Sequence, residues 1–248
     1  WIEGVIVIFM LLAGTNFTLI YFGLKMKFHK ILKNDEFKWY LSSIASVILF
    51  LTLLLSFSNN ISFLSAFRKM SFQVVSIITT TGYATADYTT WGYFMSFIFF
   101  LFLFSGGSAG STSGGIKIVR IIIIIKNGLL EFKRRLHPKA VIPVTLNGSA
   151  ISNQIIYNLL AFIFLYLFIF TLGSILLTAL GVEFLTSISA VASAIGNVGP
   201  GIAQVGPSYS FDHIPFLGKW ILSLLMLMGR LELFTVCLIF TPYFWKRI

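Results

Sequence analysis

Charge is scarce in this sequence. Only 10% of its 248 residues are Asp, Glu, Lys or Arg, against about 25% in soluble domains. That excludes an ordinary water-soluble globule. The single cysteine, Cys237, excludes a disulfide framework, and its place inside an apolar run leaves the redox compartment unread. His29, His137 and His213 stand at no metal-ligand spacing and read as surface histidines. No Ser/His/Asp, Cys/His or His-rich metal constellation lies in or beside an apolar run, so nothing in the chain points to an enzyme. Trp1 opens the sequence inside a spanning pattern, without an initiator Met or a signal peptide, and the chain is expected to be part of a longer protein.

Apolar residues are what the chain has instead. They make up 57% of it, and the mean hydropathy is +0.93. A spanning helix needs about 20 mostly apolar residues. Five such spans are expected: Gly4 to Gly23, Trp39 to Leu55, Gly92 to Ile125 with an interruption, Ile155 to Leu180, and Pro215 to Trp245. A net charge of +10 would suit nucleic acid, but the basic residues are distributed as a membrane topology requires. Lys25, Lys27, Lys30, Lys33 and Lys38 fill one loop, Lys126, Lys133, Arg134, Arg135 and Lys139 another, and Lys246 and Arg247 end the chain. Arg68, Lys69 and Lys219 are the few bases between, beside Asp87, Glu183 and Asp212. The positive-inside rule places the three basic segments, and the C-terminus, in the cytoplasm.

One unit occurs twice. Trp39 to Leu55 is a span, Phe63 to Ile78 a short helical stretch, Thr79 to Tyr83 a glycine turn, and Gly92 onward a second span. Ile155 to Leu180, Glu183 to Ile195, Gly196 to Gly201 and Pro215 onward repeat that order. Stretches of about 15 residues are too short to cross a bilayer and suit re-entrant half-helices. The expected fold is therefore all-α and membrane-embedded: two tandem units of helix, half-helix, glycine loop and helix, with one preceding helix. Residues 1–35 form that helix and a linker, 36–150 a pore unit with a glycine-rich loop and a basic cytoplasmic loop, and 151–248 the final pore unit.

Non-helical backbone at membrane depth survives only buried in protein or facing a watery cavity. Glycine reaches φ > 0, so it can turn successive carbonyls toward a central axis. Carbonyl rings replace the water shell of a potassium ion. Each half-helix also points its negative C-terminal end at the loop. Thr79, Thr80, Thr81, Gly82 and Tyr83, with Asn197, Val198, Gly199 and Pro200, are thus candidate filter residues with K+ at their carbonyls. The competing reading makes both loops surface turns. In the interrupted span, Gly106, Gly107, Gly110, Gly114 and Gly115 form a serine- and glycine-rich stretch that nearly matches a Walker motif, but Ile116 holds the lysine position. It reads as a flexible loop beneath the filter or as GxxxG helix packing through Gly106, Gly110 and Gly114. Arg230 is a charge inside a span, which costs about 2.5 to 3.5 kcal/mol on insertion scales and marks function by default. A salt bridge to Glu232 or a snorkelling side chain is its structural alternative. Asp87 and Asp212 stand on the expected outer side, as cation-concentrating groups or as a solvated rim.

ITTTGYATADY, SGGSAGSTSGGIKIVR, GNVGPG and MGRLELFTV, in that order, resemble the TrkH branch of the Trk/Ktr/HKT potassium transporters over essentially the whole chain. The resemblance implies four such units around one pore, of which this chain matches the third and fourth, with Gly4 to Gly23 similar to the closing helix of the second. It implies that Gly82 and Gly199 are filter glycines of a potassium-selective pore, that Ser105 to Gly115 is an intramembrane gating loop, and that Arg230 opposes cation passage beside it. It further implies no bound cofactor, K+ as the transported ion, the N-terminal half of the same protein, membrane lipid, a homodimer and a cytoplasmic nucleotide-binding subunit of the TrkA type as partners, no nucleic acid, and a bacterial inner membrane location. An ion-coupled secondary transporter built of repeats remains the alternative function.

Overall fold

The computed structural model describes residues 1–245, so Lys246 and Arg247 lie outside the described residues. Two helices are long and apolar enough to cross a membrane: α4 (Asp35–Asn59) and α8 (Asn153–Ala179). At 1.5 Å per residue they reach roughly 37 and 40 Å, beyond a hydrocarbon core of about 30 Å. Asn34 caps α4 by accepting a hydrogen bond from the Phe37 N–H at 2.9 Å, and Asp35 and Glu36 lie in its first turn, where carboxylates suit the positive end of the helix.

Each long helix is followed by a half-helix, α5 (Phe63–Ile78) and α9 (Phe184–Gly196), both buried over their C-terminal halves. A 16- or 13-residue helix reaches only about 20 to 24 Å, so neither spans. α6 (Tyr93–Phe102) and α10 (Phe216–Arg230) close the two units. The apolar core around α4, α5 and α6 also takes in Ala192, Val198 and Ile202 of the second unit. Phe104 and Phe170 pack against this core and against the one around α8, α9 and α10, which fuses the repeats.

Three expected spans are not straight. The first is α1 (Ile2–Ala13) and α2 (Phe17–Leu24), meeting at 110°. Asn16 starts α2 as its cap, accepting from the Thr18 N–H at 2.8 Å, and the bend leaves Gly14 so close to Tyr40 that an added Cβ would lie 2.4 Å from the hydroxyl. The last expected span is likewise divided, into α10 and α11 (Leu233–Ile239), at 116°, with Glu232 in a left-handed conformation at the break, and α12 (Pro242–Trp245) follows. In the third, α6 ends at Phe102 and α7 starts at Ile118, with a hydrogen-bonded coil between them. Gly106, Gly110 and Gly114 therefore lie outside any helix, which removes the GxxxG packing reading.

The basic segment after it also differs from expectation. α7 (Ile118–Leu136) carries Lys126, Lys133, Arg134 and Arg135 on a helix rather than a loop. Ile122 and Ile123 are buried, while Ile125, Leu129, Phe132 and Leu136 form an exposed apolar stripe, so the helix is amphipathic without turning its whole apolar side to the protein. A two-residue hairpin, β1 (Thr145–Leu146) and β2 (Ser149–Ala150), turns at Asn147–Gly148 and leads to α8. α3 (Phe28–Leu32) completes the α-helices of the described residues, and short 3₁₀ turns lie at Tyr88–Trp91 and Ala203–Val205.

Candidate functional site

The two glycine loops leave the C-terminal ends of α5 and α9 and meet. A Cβ added to Gly199 would lie 4.0 Å from the Gly82 Cα, and one added to Gly82 only 2.1 Å from the Val198 carbonyl oxygen. Both glycines hold positive φ, +78° and +110°. Two residues before each, Thr80 and Asn197 are left-handed at +55° and +54°. The backbone of one loop is thus repeated in the other at a distance of 117 residues, the separation of Gly82 and Gly199.

A buried serine organises each copy. Ser76 and Ser193 stand six residues before their glycines, and their carbonyls accept from the N–H of Thr81 at 2.9 Å and of Val198 at 3.0 Å. The Ser76 hydroxyl donates to the Tyr83 carbonyl at 2.6 Å. The Ser193 hydroxyl donates to the Gly199 carbonyl at 2.8 Å and lies 3.1 Å from the Gly199 N–H, which donates to it. Neither serine stood out in the sequence, although laying one repeat on the other would have paired them. Thr79 is spent on structure, its hydroxyl bonding the Val75 carbonyl at 2.7 Å and the Thr81 hydroxyl at 2.9 Å. The Tyr83 side chain is exposed. Across the loops, the buried Tyr88 hydroxyl donates to the Gly201 carbonyl at 2.6 Å.

Seven of the nine candidate filter carbonyls remain free. Those of Thr79, Thr80, Thr81 and Gly82, and of Asn197, Val198 and Pro200, accept no hydrogen bond from a described residue, whereas those of Tyr83 and Gly199 do. Most of these residues are half-buried. Unpaired carbonyls at the negative ends of two helices are chemically suited to a desolvated cation.

The Ser105–Gly115 coil lies against these loops. The Gly114 N–H donates to the Thr80 hydroxyl at 2.8 Å, and a Cβ on Gly114 would come within 2.3 Å of the Gly196 carbonyl. Gly106 is confined equally, with the Gly114 carbonyl 2.0 Å from its added Cβ, and Gly107 by the Gly14 carbonyl at 2.6 Å. Gly110 and Gly115 hold φ of +69° and +62°. The coil is anchored to neighbours by the Ser108 N–H to Gly14 carbonyl bond at 2.8 Å, the Phe17 N–H to Gly110 carbonyl bond at 3.1 Å, and the Ala109 N–H to Glu36 Oε1 bond at 2.6 Å.

Arg230 donates from Nη1 to the Thr112 carbonyl of the same coil. Glu232 pairs elsewhere, with Arg120 at 3.2 Å, which removes the expected alternative partner of Arg230. The Arg120 guanidinium also lies 4.0 Å from the Phe162 ring centroid. These side chains, with Lys117 and the buried Tyr166, line a cavity of about 310 Å³ below the coil. Sequence reading missed Arg120 and Glu36, whose partners are distant in the chain, and Lys117, which donates to Ser113 four residues before it. At the other end of the loops, partial burial of Asp87 tends to raise its pKa, but hydrogen bonds from the Thr89 hydroxyl and N–H, and from Ser208, outweigh it and hold the carboxyl below its ordinary range. Asp212 bonds the Ser210 hydroxyl at 2.7 Å, apart from Asp87.

The comparison with known families decides what such paired loops belong to. The TrkH family profile, described as a cation transport protein, matches residues 1–247. The chain belongs to the TrkH family. The Trk system potassium uptake protein TrkH of Halomonas elongata is 34% identical over 247 residues, covering 99% of this chain and 51% of its own length. Its namesake in Escherichia coli K12 is also 34% identical, over 248 residues and with the same coverage. The crystal structure of the potassium transporter TrkH from Vibrio parahaemolyticus superposes with a TM-score of 0.92 at 34% identity, over 99% of this chain and 53% of that one. This chain thus spans about half the length of the TrkH proteins it matches. Membership, with the apolar helices, fixes the chain as an integral membrane protein built of the helical repeats described above.

Proposed function

We propose that the chain forms two of the four walls of a potassium pore, and that the whole protein takes up K+ across the bacterial inner membrane. The observation that carries this reading is the meeting of Gly82 with Gly199, flanked by seven carbonyls without a described hydrogen-bond donor at the ends of two half-helices. Carbonyl oxygens compensate a dehydrated K+ without a fixed charge that would trap it. Thr79 to Tyr83 and Asn197 to Pro200 are the two filter segments, and the other half of the same protein supplies the remaining walls. The Ser105–Gly115 coil, with Gly106, Gly107, Gly110, Gly114 and Gly115, is the gate beneath them. Arg230 holds it through Thr112 and sets a positive charge in the ion path. The relatives named as Trk system proteins support a multi-component assembly, in which a second copy of the chain and a cytoplasmic nucleotide-binding subunit complete the transporter. Residues 1–35, 36–150 and 151–248 then serve as linker, third pore unit and fourth pore unit, with the C-terminus in the cytoplasm and no cofactor held by this chain.

The test is potassium-dependent uptake by the full-length protein in cells lacking their own uptake systems. Gly82→Ser and Gly199→Ser are expected to lose preference for K+ over Na+. Unchanged selectivity at normal expression returns both loops to the status of turns and favours a coupled transporter.

A further inference from the structure

Two adjacent acids at the start of α4 face different neighbours. Successive helical residues lie about 100° apart around the axis, so one turn can reach two partners. Glu36 is buried, at 6% exposure, and its Oε1 accepts from the Ala109 N–H at 2.6 Å in the middle of the Ser105–Gly115 coil. A carboxylate removed from water needs hydrogen bonds in return, and Ala109 is the one donor to Glu36 among the described residues. The Ser108 hydroxyl beside it is fully buried and has no partner, so the coil is not exhausting its polar contacts in this arrangement.

Asp35 faces the other way, to the hairpin. Its N–H donates to Asn147 Oδ1 at 2.7 Å, and the Asn147 N–H donates back to Asp35 Oδ2 at 2.8 Å. This reciprocal pair fixes orientation as well as distance. Asn147 and Gly148 occupy the turn at φ +49° and +78°, the left-handed pair that a two-residue hairpin demands. The hairpin is tied in turn to α7, through Lys126 to the Thr145 carbonyl at 3.0 Å and Arg134 to the Ile142 carbonyl at 2.9 Å. An unbroken set of contacts therefore runs from the basic side of α7, through the hairpin and the first turn of α4, to the coil.

We propose that Glu36 is a positioning residue for the gate, and that the Asp35–Asn147 pair couples it to the hairpin, so that displacing the hairpin frees the coil. The proposal rests on the coil being the gate. Spatial continuity alone does not establish coupling, whereas a double-mutant cycle does.

The full-length protein is reconstituted in liposomes and its resting cation flux compared for Glu36→Ala, Asp35→Ala, Asn147→Gly and the double variant Glu36→Ala/Asn147→Gly. Arg230→Ala serves as an independent probe of the gate. Asn147→Gly keeps the left-handed turn and the backbone donor while removing Oδ1, so it leaves the fold intact. Modification of Ser111→Cys by a cytoplasmic thiol reagent, in a background without other cysteines, reports exposure of the coil in each variant. Each single change at residues 35, 36 and 147 is expected to raise flux and labelling at least about fivefold, the lower bound of ordinary coupling. The double variant is expected to match Glu36→Ala alone. Multiplying effects, or unchanged flux in Asp35→Ala and Asn147→Gly while Arg230→Ala raises it, overturns the coupling. Unchanged flux in Arg230→Ala as well overturns the gate reading and this proposal with it.

Discussion

Gly82 and Gly199 stand at equivalent places in the two repeats, yet the same substitution should act on them differently. Gly82→Ala places a Cβ 2.1 Å from the Val198 carbonyl oxygen, where real Cβ contacts essentially never fall below 3.0 Å, so that oxygen or the Gly82 backbone must move by roughly 1 Å. The positive φ of +78° adds about 1 to 2 kcal/mol for an L-residue. Val198 is buried on α9's loop and cannot swing out without disturbing the core it joins. Gly199→Ala meets nothing closer than the Gly82 Cα at 4.0 Å, and its penalty is backbone strain at φ +110°, about 1 to 3 kcal/mol. Displacing one carbonyl by 1 Å removes it from a coordination shell, so Gly82→Ala should abolish the K+ over Na+ preference. Gly199→Ala should fold less stably but keep more of that preference. Uptake of K+ and Na+ by proteoliposomes, with thermal melting of the purified full-length protein, separates the two effects. Greater retention of selectivity in Gly82→Ala than in Gly199→Ala would refute the steric reasoning.

Three further outcomes follow from the same geometry. Ser193→Ala leaves the Gly199 N–H and carbonyl without their shared partner, a loss of about 1 to 3 kcal/mol, and should lower the melting temperature and blur ion selectivity, whereas Ser193→Thr should restore part of both. Arg230→Ala removes the bond to Thr112 and a positive charge that opposes a passing cation, so resting flux should rise at least about fivefold. Asp87 has a lowered folded-state pKa, so its contribution to stability is complete above the ordinary carboxylate pKa of about 3.9 and disappears as pH falls through the lower folded value. Thermal melting should therefore be less stable in Asp87→Asn at neutral pH, with the difference from the unsubstituted protein shrinking only in strong acid; a constant difference down to the most acidic point would contradict that titration.

Local pattern made much of this fold readable. Two half-helices showed themselves because apolar runs too short to span were each followed by a glycine loop, and α5 and α9 end within a residue or two of the expected limits. Hydropathy located the long α4 and α8 for the same reason: a bilayer rewards every apolar residue alike, whatever its partner. It also hid the breaks in the other spans. Between α1 and α2 the chain stays apolar through a 110° bend, and what sets the bend is a side-chain cap by Asn16 and the close passage of Gly14 past Tyr40, a contact across 26 residues. The basic segment after Ile125 read as a loop because charge was weighed as topology, while the spacing of its isoleucines and lysines already fitted a helix with one dry face.

The candidate site divides along the same line. Gly82 and Gly199 were visible because each follows an apolar run too short to span, and the two sites recur at one separation. The residues around them were invisible because their roles come from partners far along the chain: Glu36 meets Ala109, Arg120 meets Glu232, and Asp35 meets Asn147. Glu232 shows how composition misleads here. Two residues from Arg230, it offered a neutralising partner for the charge in the span, but the break at Leu231–Glu232 turns the carboxylate toward α7 instead. Arg230 is left donating to a neutral carbonyl of the coil, so its charge is held in place without being cancelled. A residue required only to stabilise the fold would be better placed with Glu232. Its position beside the coil, with Glu232 paired to Arg120, fits the proposed barrier to cations.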